Sequence, residues 1–289
     1  MFENALVGVD GRQGGRDAIA LASEMVGHGG KITLLHVHDG LLRPTHAVTP
    51  GMVEEEREAA GRLLEQESRT ARVSARLLEV ESLHPGRALH ERAEEQRADL
   101  IVVGSCRRGA FGRAMLGDDT RAALNGAPCA IAVAALGYAT HPQLARIGVG
   151  YDQSPESKAA LDAARELGAA KGATVRALEV ISIPSQAYAG FISPAAVEDI
   201  DADVKQADER LSKQLDGVQA KAVWGLTGEE LAAFGDELDL LVVGSRSFGP
   251  IKRLILGSTA DYLERHARCS LLVLPRAAIE DQLAAAGGA

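Results

Sequence analysis

The chain is poor in aromatic residues, which make up 3% of its 289 residues and include a single tryptophan. A core must therefore be packed from Ala, Leu and Val, and such cores suit helices laid on a parallel sheet. Cysteine is scarce too. Cys106, Cys129 and Cys269 are widely separated and show no CxxC or other zinc spacing. An odd, sparse set of this kind fits a reducing cytosol. No apolar run approaches the roughly 18–20 residues that a membrane span needs. Residues 1–10 lack a charged stretch followed by an apolar one, so no signal peptide is expected. Basic runs are also missing, and the net charge is −9. A nucleic-acid binder would carry a basic stripe, so that class is set aside. The acidic balance mostly reports solubility.

What is present is enough for two domains, since about 100–200 residues make one. Hydrophobic residues are 46% of the chain, sufficient for two cores. The chain also repeats itself. Residues 5–10, Ala-Leu-Val-Gly-Val-Asp, return at 147–152 as Ile-Gly-Val-Gly-Tyr-Asp. Leu100–Ser105 returns at Leu240–Ser245, Met115–Gly117 at Ile255–Gly257, and Ala127–Cys129 at Ala267–Cys269. The offset is 142 at the first pair and 140 at the others, which marks a duplication. The join falls near Gly137–Gln143, giving domains over 1–138 and 143–277.

Each half reads as five strands alternating with helices. Strands are expected near 4–9, 32–38, 72–80, 100–104 and 130–135, then near 146–151, 173–181, 218–223, 239–243 and 270–274. Helical periodicity covers Asp17–Val26, Val53–Ser68, Arg87–Gln96 and Asp119–Leu124 in the first half. In the second it covers Glu156–Ala170, Pro194–Leu215, Glu229–Leu238 and Thr259–His266. Strand alternating with helix means a parallel sheet with right-handed crossovers. The fold class is α/β: two tandem doubly wound domains, each a five-stranded parallel sheet flanked by helices.

Ligands of such sheets sit beyond the carboxyl ends of the strands, where strand order reverses. In the second half strand one ends at Asp152, strand four at Gly244, and Gly257-Ser258-Thr259 opens a helix. A glycine lets backbone approach a phosphate. The helix start offers free N–H groups and the positive end of a dipole. Asp152 can accept from ribose hydroxyls, and Lys252 and Arg253 lie on the same loop. Asp10 and Asp152 also suit helix caps or Asx turns. His36 and His38 share a strand face, with a structural role favoured over metal binding.

Val149–Ser157 and Val242–Thr259 resemble the ATP-binding pattern of the universal stress protein family: Asp after strand one, then G-x2-G-x9-G-[ST]. The resemblance covers both halves. It implies the adenine-nucleotide alpha-hydrolase-like fold and a stress-response protein of the cytoplasm that binds ATP, alone or with Mg²⁺, and is not an enzyme. Carried over by position, Gly244, Ser247, Gly257, Ser258 and Thr259 contact phosphates, Asp152 the nucleoside, and Val180 the adenine. Ser247 replaces the pattern's second glycine. In the first half Asp10, Val37, Gly104 and Gly117 match, but Arg107 replaces the second glycine and Asp118 the Ser/Thr. A carboxylate at that helix start repels phosphate, so the first site reads as degenerate. The resemblance further implies pairing of the two domains through their last strands, with a homodimer as a further assembly. The alternatives are a scaffold that binds no nucleotide, or a slow ATPase.

Overall fold

Short runs of β-branched and aliphatic residues bounded by polar turns become strands buried on both faces. The computed structural model describes residues 1–38, 50–105, 122–182, 194–245, 254 and 257–275. In the first half β1 is Phe2–Gly8, β2 Val26–His38, β3 Arg76–Glu81, β4 Leu100–Gly104 and β5 Ala130–Ala134. The helices are α1 Gln13–Met25, α2 Pro50–Ala71 and α3 Pro85–Gln96. In the second half β6 is Arg146–Gly150, β7 Thr174–Ser182, β8 Gln219–Gly225, β9 Leu240–Gly244 and β10 Ser270–Leu274. Its helices are α4 Pro155–Lys171, α5 Pro194–Gln214, α6 Thr227–Gly235 and α7 Ser258–His266.

Contacts divide the chain into two units, one built on Met1–Gln143 and one on Leu144–Ser245 with Gly257–Leu274. In the first, all pairings are parallel in the order β3-β2-β1-β4-β5. In the second the order is β8-β7-β6-β9-β10, again parallel. The chain thus turns back between β1 and β4, and again between β6 and β9. The cores are aliphatic, as the shortage of aromatic residues requires. Leu6, Ile19, Leu100, Ile101 and Ile131 are fully buried in the first, and Ile147, Leu240 and Leu272 in the second. Each such side chain contributes about 1.5–3 kcal/mol.

Several boundaries differ from the sequence reading, and two of them bear on the site. The strand β2 starts at Val26, directly after α1, and not near 32. Gly29 takes a left-handed φ of 84° in this stretch, and the pairing register slips between Phe2 and Asn4 to absorb the extra residues. The helix α1 starts at Gln13 and not at Asp17, so Asp17 lies inside it, fully buried. The helix expected over Asp119–Leu124 is described only at 122–124, which is helical. Leu254, from the second glycine loop, belongs to the first unit. It is fully buried, accepts from the Gly126 amide at 2.8 Å and donates to Ala127 O at 3.0 Å.

Candidate functional site

At the carboxyl end of β1 the chain must turn sharply into α1. The Asp10 carboxylate accepts from the Arg12 amide at 3.0 Å, an Asx-type turn, and Gly11 takes a left-handed φ of 71°. The second half repeats the turn. Asp152 Oδ1 accepts from the Ser154 amide at 3.1 Å and also from the Ser154 hydroxyl. Gln153 holds the left-handed φ, 64°, that Gly11 holds in the first copy. Ser154 Oγ then caps α4 by accepting from the Ser157 amide at 3.1 Å. Both aspartates are exposed at the rim of the strand ends.

In the first unit a cavity of about 150 Å³ opens at this point. An apolar cavity of that order holds a benzene-sized ring. Its walls come from Leu35 and Val37 on β2, Pro85 and Leu89 on α3, and Val103 on β4. Gly8, Gly14, Gly15 and Gly104 line it with backbone, and among the described residues Asp10 is its one charged lining residue. Three of the four residues expected there, Asp10, Val37 and Gly104, are brought together. The fourth, Gly117, lies outside the described residues, as do Arg107 and Asp118. Sequence reasoning missed Leu89 and Pro85, which arrive from a helix distant in sequence. It also missed Gly14 and Gly15, whose adjacency at a helix start was the available signal.

In the second unit Asp152 follows β6, Val180 lies in β7 and Gly244 ends β9. The strand β6 pairs with both β7 and β9, so these three positions stand on adjacent strand ends. Gly257 is the N-cap of α7, with φ −71°, and no side chain among the described residues caps this helix. Ser258 and Thr259 form its first turn. Ser247, Lys252 and Arg253 lie outside the described residues.

The glycines at these sites do different work. A Cβ on Gly104 would overlap the Gly14 carbonyl, and one on Gly244 would stand 2.6 Å from Glu156 Cβ. Both let strand four close on the first turn of the facing helix, a packing role apart from any ligand. Around Gly257, by contrast, a Cβ would meet nothing within 4 Å among the described residues.

Flanking charges are tied down. Glu179 accepts from Arg210 at 2.6 Å and from Gln153 at 3.4 Å. Burial, and then nearby Glu179, raises the Tyr151 phenol above its ordinary value. His36 Nδ1 lies 2.7 Å from Val9 O, and His38 Nε2 lies 3.0 Å from Glu79 Oε2. That hydrogen bond with His38, helped by Arg57, holds the Glu79 carboxyl below its ordinary value. Among the described residues no group of three or more His, Cys, Asp or Glu gathers to hold a metal. Burial pushes the thiols of Cys129 and Cys269 up to about 12, which keeps them unreactive at neutral pH. Cys106 lies outside the described residues. Among those residues no helix is long and apolar enough to cross a membrane.

Comparison with known proteins agrees with this architecture. Among solved structures, a universal stress protein from Archaeoglobus fulgidus superposes with a TM-score of 0.67 at 18% identity, covering 94% of this chain and 98% of that one. A putative universal stress protein from Pseudomonas aeruginosa gives 0.64 at 17%, covering 97% and 96%. In sequence, the universal stress protein Rv2005c of Mycobacterium tuberculosis is 27% identical over 187 residues, 61% of each chain. Rv2319c of the same organism is 27% identical over 194 residues, 63% of this chain and 66% of that one. The match thus spans about three-fifths of these relatives' length. The model of the universal stress protein family matches residues 1–135 and again 144–275. Two copies of the family's domain account for nearly the whole chain, which therefore belongs to the universal stress protein family.

Proposed function

We propose that this protein binds an adenine nucleotide, chiefly in its second half, and acts through that binding as a stress-response regulator without turning the nucleotide over. The observation that carries this reading is the start of α7. Among the described residues its amides have no side-chain cap, and no atom of those residues crowds Gly257, whose φ is ordinary. Neither packing by the described residues nor backbone conformation requires a glycine there, whereas close approach by an anion does. ATP would place its phosphates on Gly257, Ser258 and Thr259, its ribose at Asp152 and its adenine along Val180. Occupancy biases the protein only through differential affinity for two of its states.

Calorimetric titration with ATP and Mg²⁺ tests this, with Ser258→Asp as the control. A carboxylate at the helix start satisfies the dipole itself and repels an arriving phosphate by about 1–2 kcal/mol, so affinity falls roughly tenfold while the melting temperature holds. Equal affinity in the variant moves the nucleotide elsewhere. No heat at millimolar ATP removes the reading and leaves a scaffold. Steady release of ADP by the pure protein supports the slow ATPase instead.

A second reading is favoured by the cavity of the first unit. Its apolar walls and the rim carboxylate of Asp10 suit the base and sugar of a nucleoside, with no phosphate needed. Leu89→Trp would fill it, so a two-site titration that falls to one site in this variant supports occupancy of both halves. The same proposal assigns the protein to the cytoplasm and pairs two chains. Light scattering at the mass of one chain removes the pairing.

A further inference from the structure

Asp17 is fully buried inside α1, and nothing in the nucleotide reading uses it. A buried carboxylate is costly unless its oxygens are satisfied. Here they are satisfied by the segment that joins the two halves. Asp17 Oδ2 accepts from the Gly137 amide at 2.8 Å, and Oδ1 accepts from the Ala139 amide at 2.8 Å. Oδ1 also accepts from the Gln13 side chain at 2.9 Å. Gly137 turns left-handed, φ 85°, which lets these two backbone N–H groups converge on one carboxylate. A one-turn 3₁₀ helix follows over Tyr138–Thr140, with Tyr138 buried and its hydroxyl donating to Gln143 O at 2.9 Å.

The duplication supplies a control. Position 17 of the first copy corresponds to Ala159 of the second, at the offset of 142 set by Asp10 and Asp152. Ala159 is buried in α4 without any polar partner to offer. The shared fold therefore does not need a carboxylate here. It occurs only in the copy whose chain continues into a joining segment.

We propose that Asp17 is a clasp that docks the joining segment onto α1, so that residues 137–143 are a fixed part of the first unit and not a free tether. Charge-assisted bonds of this kind are the strong ones, and the two amides they hold are the ones whose exchange reports them. Amide hydrogen exchange on the full chain is the test. In the wild type, Gly137 and Ala139 exchange far more slowly than an exposed peptide. In Asp17→Asn both speed up by roughly tenfold to a hundredfold, while the β1 and β4 amides stay protected. Chymotrypsin then cuts at Tyr138 in the variant and spares the wild type. Gln13→Ala, which leaves both linker bonds in place, stays close to wild type. The clasp is overturned if the variant's amides stay protected with the fold intact. It is equally overturned if the wild-type amides exchange at the exposed rate, a reading that needs no variant to fold.

Discussion

The two halves share one backbone and differ in what fills it. At the turn after strand one, Gly11 and Gln153 adopt the same left-handed conformation, yet only the first is a glycine. A Cβ on Gly11 would press on Leu63 at 2.8 Å, whereas Gln153 reaches across to Glu179. At the start of the next helix, Arg12 of the first half gives no side-chain cap and Ser154 of the second caps α4. Gly14 and Gly15 leave the first cleft lined by bare backbone, and Glu156 and Ser157 replace them in the second. Duplication kept the path of the chain and let the side chains part. Of the glycines that survive in both copies, the pair Gly104 and Gly244 is one that packing demands.

The largest test of that comparison is at these two glycines. Gly104→Ala or Gly244→Ala forces strand four off the facing helix and costs about 3 kcal/mol, roughly 6–12 °C in the melting of its own unit. Gly257→Ala, which no described residue crowds, costs less than about 1 kcal/mol. Thermal denaturation that ranks the three together would break the distinction between packing glycine and ligand glycine. A smaller effect sharpens the turns. Ser154→Ala removes a cap and costs about 1 kcal/mol by urea denaturation, whereas Arg12→Ala changes stability by less than about half of that. Gln153→Gly relieves a left-handed side chain and stabilises by about 0.5 kcal/mol after the lost contact with Glu179 is counted.

The smallest effect is in acid. The Glu79 carboxyl lies below its unfolded value because His38, and then Arg57, bond to its charged form. Its contribution is therefore present above the unfolded value near 4.5 and fades as pH falls through the lower folded value. Glu79→Gln flattens the acid limb of a stability–pH curve below about pH 4.5. An unchanged limb would mean the pair adds nothing in the folded state.

Much of this was legible beforehand because it rests on local pattern. Buried runs such as Leu100–Val103, the repeated Asp after strand one and the alternation of strand with helix fixed order, class and duplication. The Asx turns at Asp10 and Asp152 were foreseen as one of two readings. The early start of β2 was not, because it rests on the distant pairing of Phe2 with Val26 across a register slip. The buried role of Asp17 was hidden because its partners lie 120 and 122 residues away. The packing duty of Gly104 and Gly244 was hidden for the same reason: the atoms that exclude a Cβ belong to another element.

Trp224 is the chain's only indole, and it lies on β8 with 41% of its surface exposed. Its register partner is Ile181, the neighbour of Val180, and the matching place in the first half is Glu81. Indole emission, excited beyond the absorption of the four tyrosines, therefore comes from beside the second cleft alone. A change in its colour or intensity on adding nucleotide speaks for that half, and the first half stays dark.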